Sequence, residues 1–255
     1  MIEDTTFSDS SSSVQAIKAD GSDIWALSKD TTRDPLTIEK ISSKEKAKPT
    51  VNLGTSESST VFEIKGNHVY LPIFGESGRD IIQGIKRMTF DPRKGSDGPS
   101  AEQTGYVDIS PTRLGLSQDT RLAIRDMLIQ QGKLYVLVSE AYSTEGNDIA
   151  VCRGGVIRIP LSYFDESGNT AENWTSGVKI LGLSPRKDAE QKSKGYFYAP
   201  ARFIARRPDE LVIADDGFYV AEESGNKKAK NAKQVVFLDL DKFSMDVVDG
   251  VEPDQ

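Results

Sequence analysis

The chain has 255 residues, 37% of them hydrophobic and 28% charged, with 32 Lys and Arg against 39 Asp and Glu and a net charge of −7. Such a composition can bury a substantial core, while the acidic balance leaves no general basic footprint for nucleic acid. The apolar runs, such as residues 134–138, fall far short of the roughly 20 residues a membrane helix needs, and the single cysteine, Cys152, excludes an internal disulfide or a cysteine metal cluster.

In chain order, residues 1–13 (MIEDTTFSDSSSS) read as a flexible N-terminal segment with neither the basic flank nor the apolar stretch of a signal peptide. Its serine run suits a tether from a membrane anchor or a preceding domain, so an extracytoplasmic mature chain is favoured over a cytoplasmic one. Four units then share a pattern. VQAIKADGSDIWALS from Val14, VFEIKGNHVYLPIF from Val61, IRDMLIQQGKLYVLVS from Ile124 and ARFIARRPDELVIAD from Ala201 each hold two apolar strands around a polar turn rich in Gly, Asn, Asp or Pro. A third run follows each hairpin: LTIEKI, IQGIKRMTF, GGVIRIPL and QVVFLDLD. A shorter fourth closes it: TVNLG, TGYVDIS, GVKILGLS and SMDVVDG. The period of two in TIEKI and VKI is that of a half-buried strand.

Four units of four antiparallel strands, at about 14–54, 61–109, 123–183 and 200–250, predict an all-β protein of β-propeller type in a single domain over 14–250, with a tail at 251–255. A β-sandwich is the alternative. Four blades either close a ring or form part of a larger one, and an incomplete ring would be expected to dimerise. The run LSYFDESGNTAENW can hold one helical turn and no more. Ile24, Val69, Leu134 and Leu211 are expected to be buried at equivalent positions of the four second strands.

In the last unit FYAPARFIARRPDELVIADDG, residues 197–217, places a Pro before the inner strand and LVIADDG, like the pattern Leu-x-Val-Ala-Asp-x-Gly, in the second. This stretch resembles the NHL-like propeller repeats, and the resemblance implies a propeller without fixing what it does, since propellers host binding modules and enzymes alike.

Antiparallel alternation sends the second-to-third and fourth-to-first connections to one end of the blades. These are long at 140–153, 215–233, 110–121 and 184–199, and long loops on a rigid scaffold tend to carry function. Arg79, Asp80, Tyr142, Tyr196, Tyr198, Asp215, Asp216 and Tyr219 lie there and form the candidate contact set for a protein or small-molecule ligand, with tyrosine supplying area and a hydroxyl at small entropic cost. The basic stretch 227–233 reads as a solvated loop tip. The sole histidine, His68, reads as an exposed turn residue, and no nucleophile, phosphate-loop or zinc motif surrounds it. The expected function is therefore a non-catalytic binding or scaffold module without a cofactor. The alternative is a calcium-dependent propeller hydrolase of lactonase type, whose oxygen ligands would come from Glu63 and Asp126 on inner strands. On an alignment of those strands the two carboxylates face opposite sides of their sheets.

Overall fold

The computed structural model describes residues 13–29, 36–42, 50–53, 60–75, 82–91, 101–116, 118, 120–140, 154–165, 177–183, 197, 200–223 and 226–249. The first sheet holds β1 (Ser13–Asp20), β2 (Asp23–Lys29), β3 (Thr37–Lys40) and β4 (Thr50–Asn52), and the second β5 (Glu63–Lys65), β6 (His68–Phe74), β7 (Ile82–Phe90) and β8 (Ala101–Asp108). The third holds β9 (Leu122–Gln130), β10 (Lys133–Glu140), β11 (Gly154–Pro160) and β12 (Lys179–Gly182). The fourth holds β13 (Pro200–Arg207), β14 (Glu210–Glu223), β15 (Asn226–Asp239) and β16 (Ser244–Asp249). Within each sheet the strands lie in chain order, so every connection is a hairpin. Four such four-stranded antiparallel sheets are the blades of a β-propeller, not the layers of a sandwich.

Local chemistry explains the hairpins. The first two strands of each blade are joined by two residues: 21–22, 66–67, 131–132 and 208–209. At the third of these, Gln131 (φ 49) and Gly132 (φ 68) both occupy the left-handed region, the pair of positive φ angles that matches the twist of a two-residue hairpin. One 3-10 turn, Leu161–Phe164, follows β11 and buries Phe164. It stands at the start of LSYFDESGNTAENW, whose residues 166–174 lie outside those described.

The chain divides into two compact units, Met1–Leu71 with Lys86–Gly105 and Pro72–Ile85 with Tyr106–Gln255, so that the division falls within the second sheet. In the first unit Trp25, Leu27, Ile38, Val51, Phe62, Ile64, Leu71 and Phe90 form a buried cluster. Trp25 meets Phe90 edge to face at 5.6 Å, a geometry worth about 0.5–1.5 kcal/mol beyond area burial. In the second unit Tyr135, Leu137, Val156, Leu211, Ile213, Val236 and Leu238 do the same. Each such side chain contributes roughly 1.5–3 kcal/mol as an upper estimate. Gly154 is required at its position, because a Cβ there would collide with the Pro200 ring and crowd Phe197.

Three expectations are corrected. Val69, Leu134 and Leu211 are buried on their second strands, whereas Ile24 is 40% exposed. It pairs with Ala19 on the face opposite Trp25, and the first unit's core forms on the Trp25 side. Residues 227–233 are not a loop tip but part of β15, paired residue by residue with β14. His68 is the first residue of β6 and is half-buried, its Nδ1 lying 2.9 Å from Thr89 Oγ1, which in turn meets Thr104 Oγ1 at 2.6 Å. Arg87 Nε donates to the same Thr104 hydroxyl at 3.1 Å. A strand start with a partnered ring therefore replaces the exposed turn residue.

Candidate functional site

Neighbouring inner strands run side by side and parallel within each unit, and side-chain bonds show their alignment. In the first unit Lys18 Nζ of β1 lies 3.5 Å from Glu63 Oε2 of β5. Lys65 Nζ meets Asp20 Oδ1 at 2.8 Å, and the Gly66 N–H donates to Asp20 Oδ2 at 2.7 Å. Both ion pairs join residues 45 positions apart. In the second unit the Phe203 N–H of β13 donates to Asp126 Oδ2 of β9 at 3.0 Å. The Gln130 amide donates to the Arg207 carbonyl, and the Gln131 amide donates to the Pro208 carbonyl at 2.7 Å. All three join residues 77 positions apart.

Glu63 and Asp126 are thus both engaged. The Glu63 side chain, 5% exposed, reaches back to β1, while Asp126 reaches forward to β13 and also accepts the Met127 N–H at 2.8 Å. The Phe203 N–H can reach Asp126 because β13 is irregular, its register against β14 shifting between Phe203 and Ala205. Among the described residues no three His, Cys, Asp or Glu side chains are grouped so as to hold a metal ion.

The fourth sheet carries an extension. β13 pairs with β14 over residues 210–215, and β16 pairs with β15 over 234–239. Beyond these, residues 216–223 pair with 226–233 as a two-stranded ribbon. Its register sets Glu222 opposite Lys227 and Asp216 opposite Lys233. At its base Asp215 is buried, and its Oδ2 accepts a 2.6 Å hydrogen bond from the Gln234 amide directly opposite. That buried bond pins the point where the ribbon leaves the sheet.

Of the residues expected to form the contact set, Asp215 belongs to this buried base and is not a surface contact. The backbone of Asp216 and Tyr219 lies in the ribbon, with Tyr219 opposite Lys230. Arg79, Asp80, Tyr142, Tyr196 and Tyr198 lie outside the described residues. Two other tyrosines have hydroxyls with raised pKa. Burial holds Tyr135 above its usual value, opposed by the adjacent Arg158 guanidinium, whose Cζ lies 4.4 Å from the Phe243 ring centre. Partial burial and the nearby Asp108 carboxylate raise Tyr106, opposed by Arg113. The loop 110–121 read from the sequence is in part a set of tight turns, anchored where Asp108 accepts the Ser110 N–H at 2.8 Å.

Sequence reading passed over the arginines of the second unit's inner strands. Arg125, Arg202 and Arg206 lie on β9 and β13, and Arg121 immediately precedes β9; all four are exposed. Their signal, ARFIARR with arginines four positions apart on an inner strand, was present but was absorbed into the blade pattern.

Inner strands tied to one another by carboxylates and amides, hairpins in chain order and a ribbon rising from one blade define a β-propeller protein. Residues 101–251 match the model of the TdpA C-terminal domain. That match spans more than half of the chain, which belongs to this family. No curated protein sequence matches it. Among solved structures it is similar to an α-L-arabinofuranosidase from Lactobacillus brevis, with 10% identity, a TM-score of 0.45, and coverage of 92% of this chain and 73% of that one. It is also similar to an exo-1,5-α-L-arabinanase from a bovine ruminal metagenomic library, with 9% identity, a TM-score of 0.41, and coverage of 93% and 77%.

Proposed function

We propose that this chain is a non-catalytic binding module whose contact element is the ribbon of the fourth blade, formed by residues 216–223 and 226–233. The supporting observation is the length of this hairpin. It continues well past both of its neighbours in the sheet, whereas the inner hairpin turn of the same blade is only two residues. One strand of the ribbon is rich in lysine and the other carries Phe218 and Tyr219, residue types suited to recognising a protein or small-molecule ligand. Tyr198 precedes Pro200 by two positions, and Pro200 pairs with Asp215 at the ribbon base. Tyr142, Tyr196, Tyr198, Arg79 and Asp80 stay in the proposed contact set on the strength of the sequence alone.

The engagement of Glu63 with Lys18 and of Asp126 with the Phe203 N–H favours this reading over a calcium-dependent hydrolase, because each carboxylate already serves a neighbouring strand. The test places a photo-cross-linking residue at Tyr219 and, as a control, at Asn67 in a tight inner hairpin, with both variants expressed in the native host. One discrete adduct from position 219 and none from position 67 is the expected result. It should disappear when residues 218–231 are replaced by Asn-Gly, with the melting temperature little changed. Equal cross-linking from both positions, or none from 219, would overturn the assignment.

A further inference from the structure

The ribbon of the fourth blade has two edges, and their sequences differ. β14 runs on past β13, whose pairing ends at Asp215, and β15 begins before β16, whose pairing starts at Gln234. Residues 216–223 and 226–233 therefore pair with each other, and among the described residues no third strand pairs with either stretch. Every second residue of such an edge points its N–H and C=O away from the ribbon, a template on which a further strand can form.

Native proteins guard an edge of this kind with lysine, with proline or with a bulge. The β15 edge has lysine at Lys227, Lys228, Lys230 and Lys233. The β14 edge has no lysine, arginine or proline and reads Asp-Gly-Phe-Tyr-Val-Ala-Glu-Glu from Asp216 to Glu223. Nor does it have a bulge, since its register against β15 runs without a shift from Glu210 to Glu223. Phe218, Tyr219 and Val220, at its middle, are of the types most favoured in strands, and its acids stand at the two ends. One edge is guarded and the other is open. We infer that the β14 edge, residues 216–223, takes up an extended strand of a partner protein as a third strand of the ribbon, one with Lys or Arg at both ends and β-branched residues between. Charge selects that occupant, because acids at both ends of the edge favour cations opposite them. The same edge of a second copy does not supply them. Centred on Tyr219 and Val220, a two-fold antiparallel pairing would set Asp216 of each copy opposite Glu223 of the other, and like charges directly opposite are destabilising. The inference rests on the ribbon being the contact element and adds how it binds: backbone hydrogen bonds give the affinity, and alternate side chains give the specificity.

The probe is the synthetic peptide Lys-Lys-Thr-Val-Thr-Val-Thr-Lys, capped at both ends and titrated into the intact chain. It should bind with a dissociation constant of about 1 mM or tighter and slow amide exchange in residues 216–223, read by mass spectrometry. Glutamate in place of its lysines should weaken binding about tenfold or more, as should Tyr219→Lys combined with Ala221→Lys in the chain. Two further peptides carry N-methyl groups on alternate residues, one on each alternation. One should lose binding and the other keep it, because an added strand bonds along a single edge, whereas a contact made by side chains would treat both alike. No binding at about 10 mM, equal binding of the glutamate peptide, or the same response from both methylated peptides would overturn strand addition. If the cross-link from position 219 still forms in that case, the ribbon remains the contact element and only this mode of binding fails; if it does not form, both readings fall. Self-association of the chain alone in light scattering, abolished when residues 218–231 are replaced by Asn-Gly, would give the edge to a second copy and overturn the proposal.

Discussion

The inner strands of the two units solve one problem in two ways. Each unit must hold two parallel, non-hydrogen-bonded strands in register. The first does so with ion pairs, one of them nearly buried, while the second uses a carboxylate on a backbone N–H and amides on backbone carbonyls. Opposite charges thus tie the inner strands of the first unit, whereas neutral donors and carbonyl acceptors share that task with one carboxylate in the second. The difference teaches that a carboxylate on a propeller inner strand is not by itself a metal ligand. What it faces on the next blade decides its role.

The largest effect expected is at the buried pair. Lys18→Met leaves the Glu63 carboxylate with less compensation and should cost about 2–3 kcal/mol in denaturant unfolding. Arg125→Met in the second unit should cost less, about 1 kcal/mol, because it removes a single hydrogen bond, to the buried Ser139 hydroxyl. Equal costs at the two sites would erase the contrast.

Next comes Asp126→Ala, which deprives the Phe203 N–H of its acceptor and should cost about 1–3 kcal/mol. Asp126→Asn, which can still offer an oxygen, should recover at least half of that loss; failure to do so would assign the effect to charge. Asp20→Asn at the hairpin tip should cost about 1 kcal/mol or less, since Lys65 is largely exposed. That cost should shrink further in about 1 M salt, whereas the Asp126 effect should hardly change.

The smallest effect is on alkaline stability. Burial raises the Tyr135 pKa above its usual value, and burial together with Asp108 raises that of Tyr106. The folded chain therefore keeps protons that the unfolded chain releases near pH 10. This contribution is fully present below that pH and is lost as pH rises through the folded-state values. Tyr135→Phe should make the fall in stability between about pH 9.5 and 11 shallower. An unchanged slope would show that other groups govern it.

Four repeats of paired apolar strands around tight turns could be read from the chain because hairpins are local: turn residues and the period of two lie within a dozen positions of one another. The 3-10 turn after β11 was legible for the same reason. Residues 227–233 were misread because lysine-rich composition signals solvent exposure but does not reveal a partner strand bearing Asp216 and Glu222. Ile24 was misplaced because periodicity shows that a strand has an apolar face but not whether another sheet covers it. By itself, then, the sequence determined the blades, their order and their hairpin turns. Only the tertiary structure decided that Glu63 and Asp126 tie neighbouring strands, because those bonds join residues 45 and 77 positions apart, a separation over which local pattern carries no information.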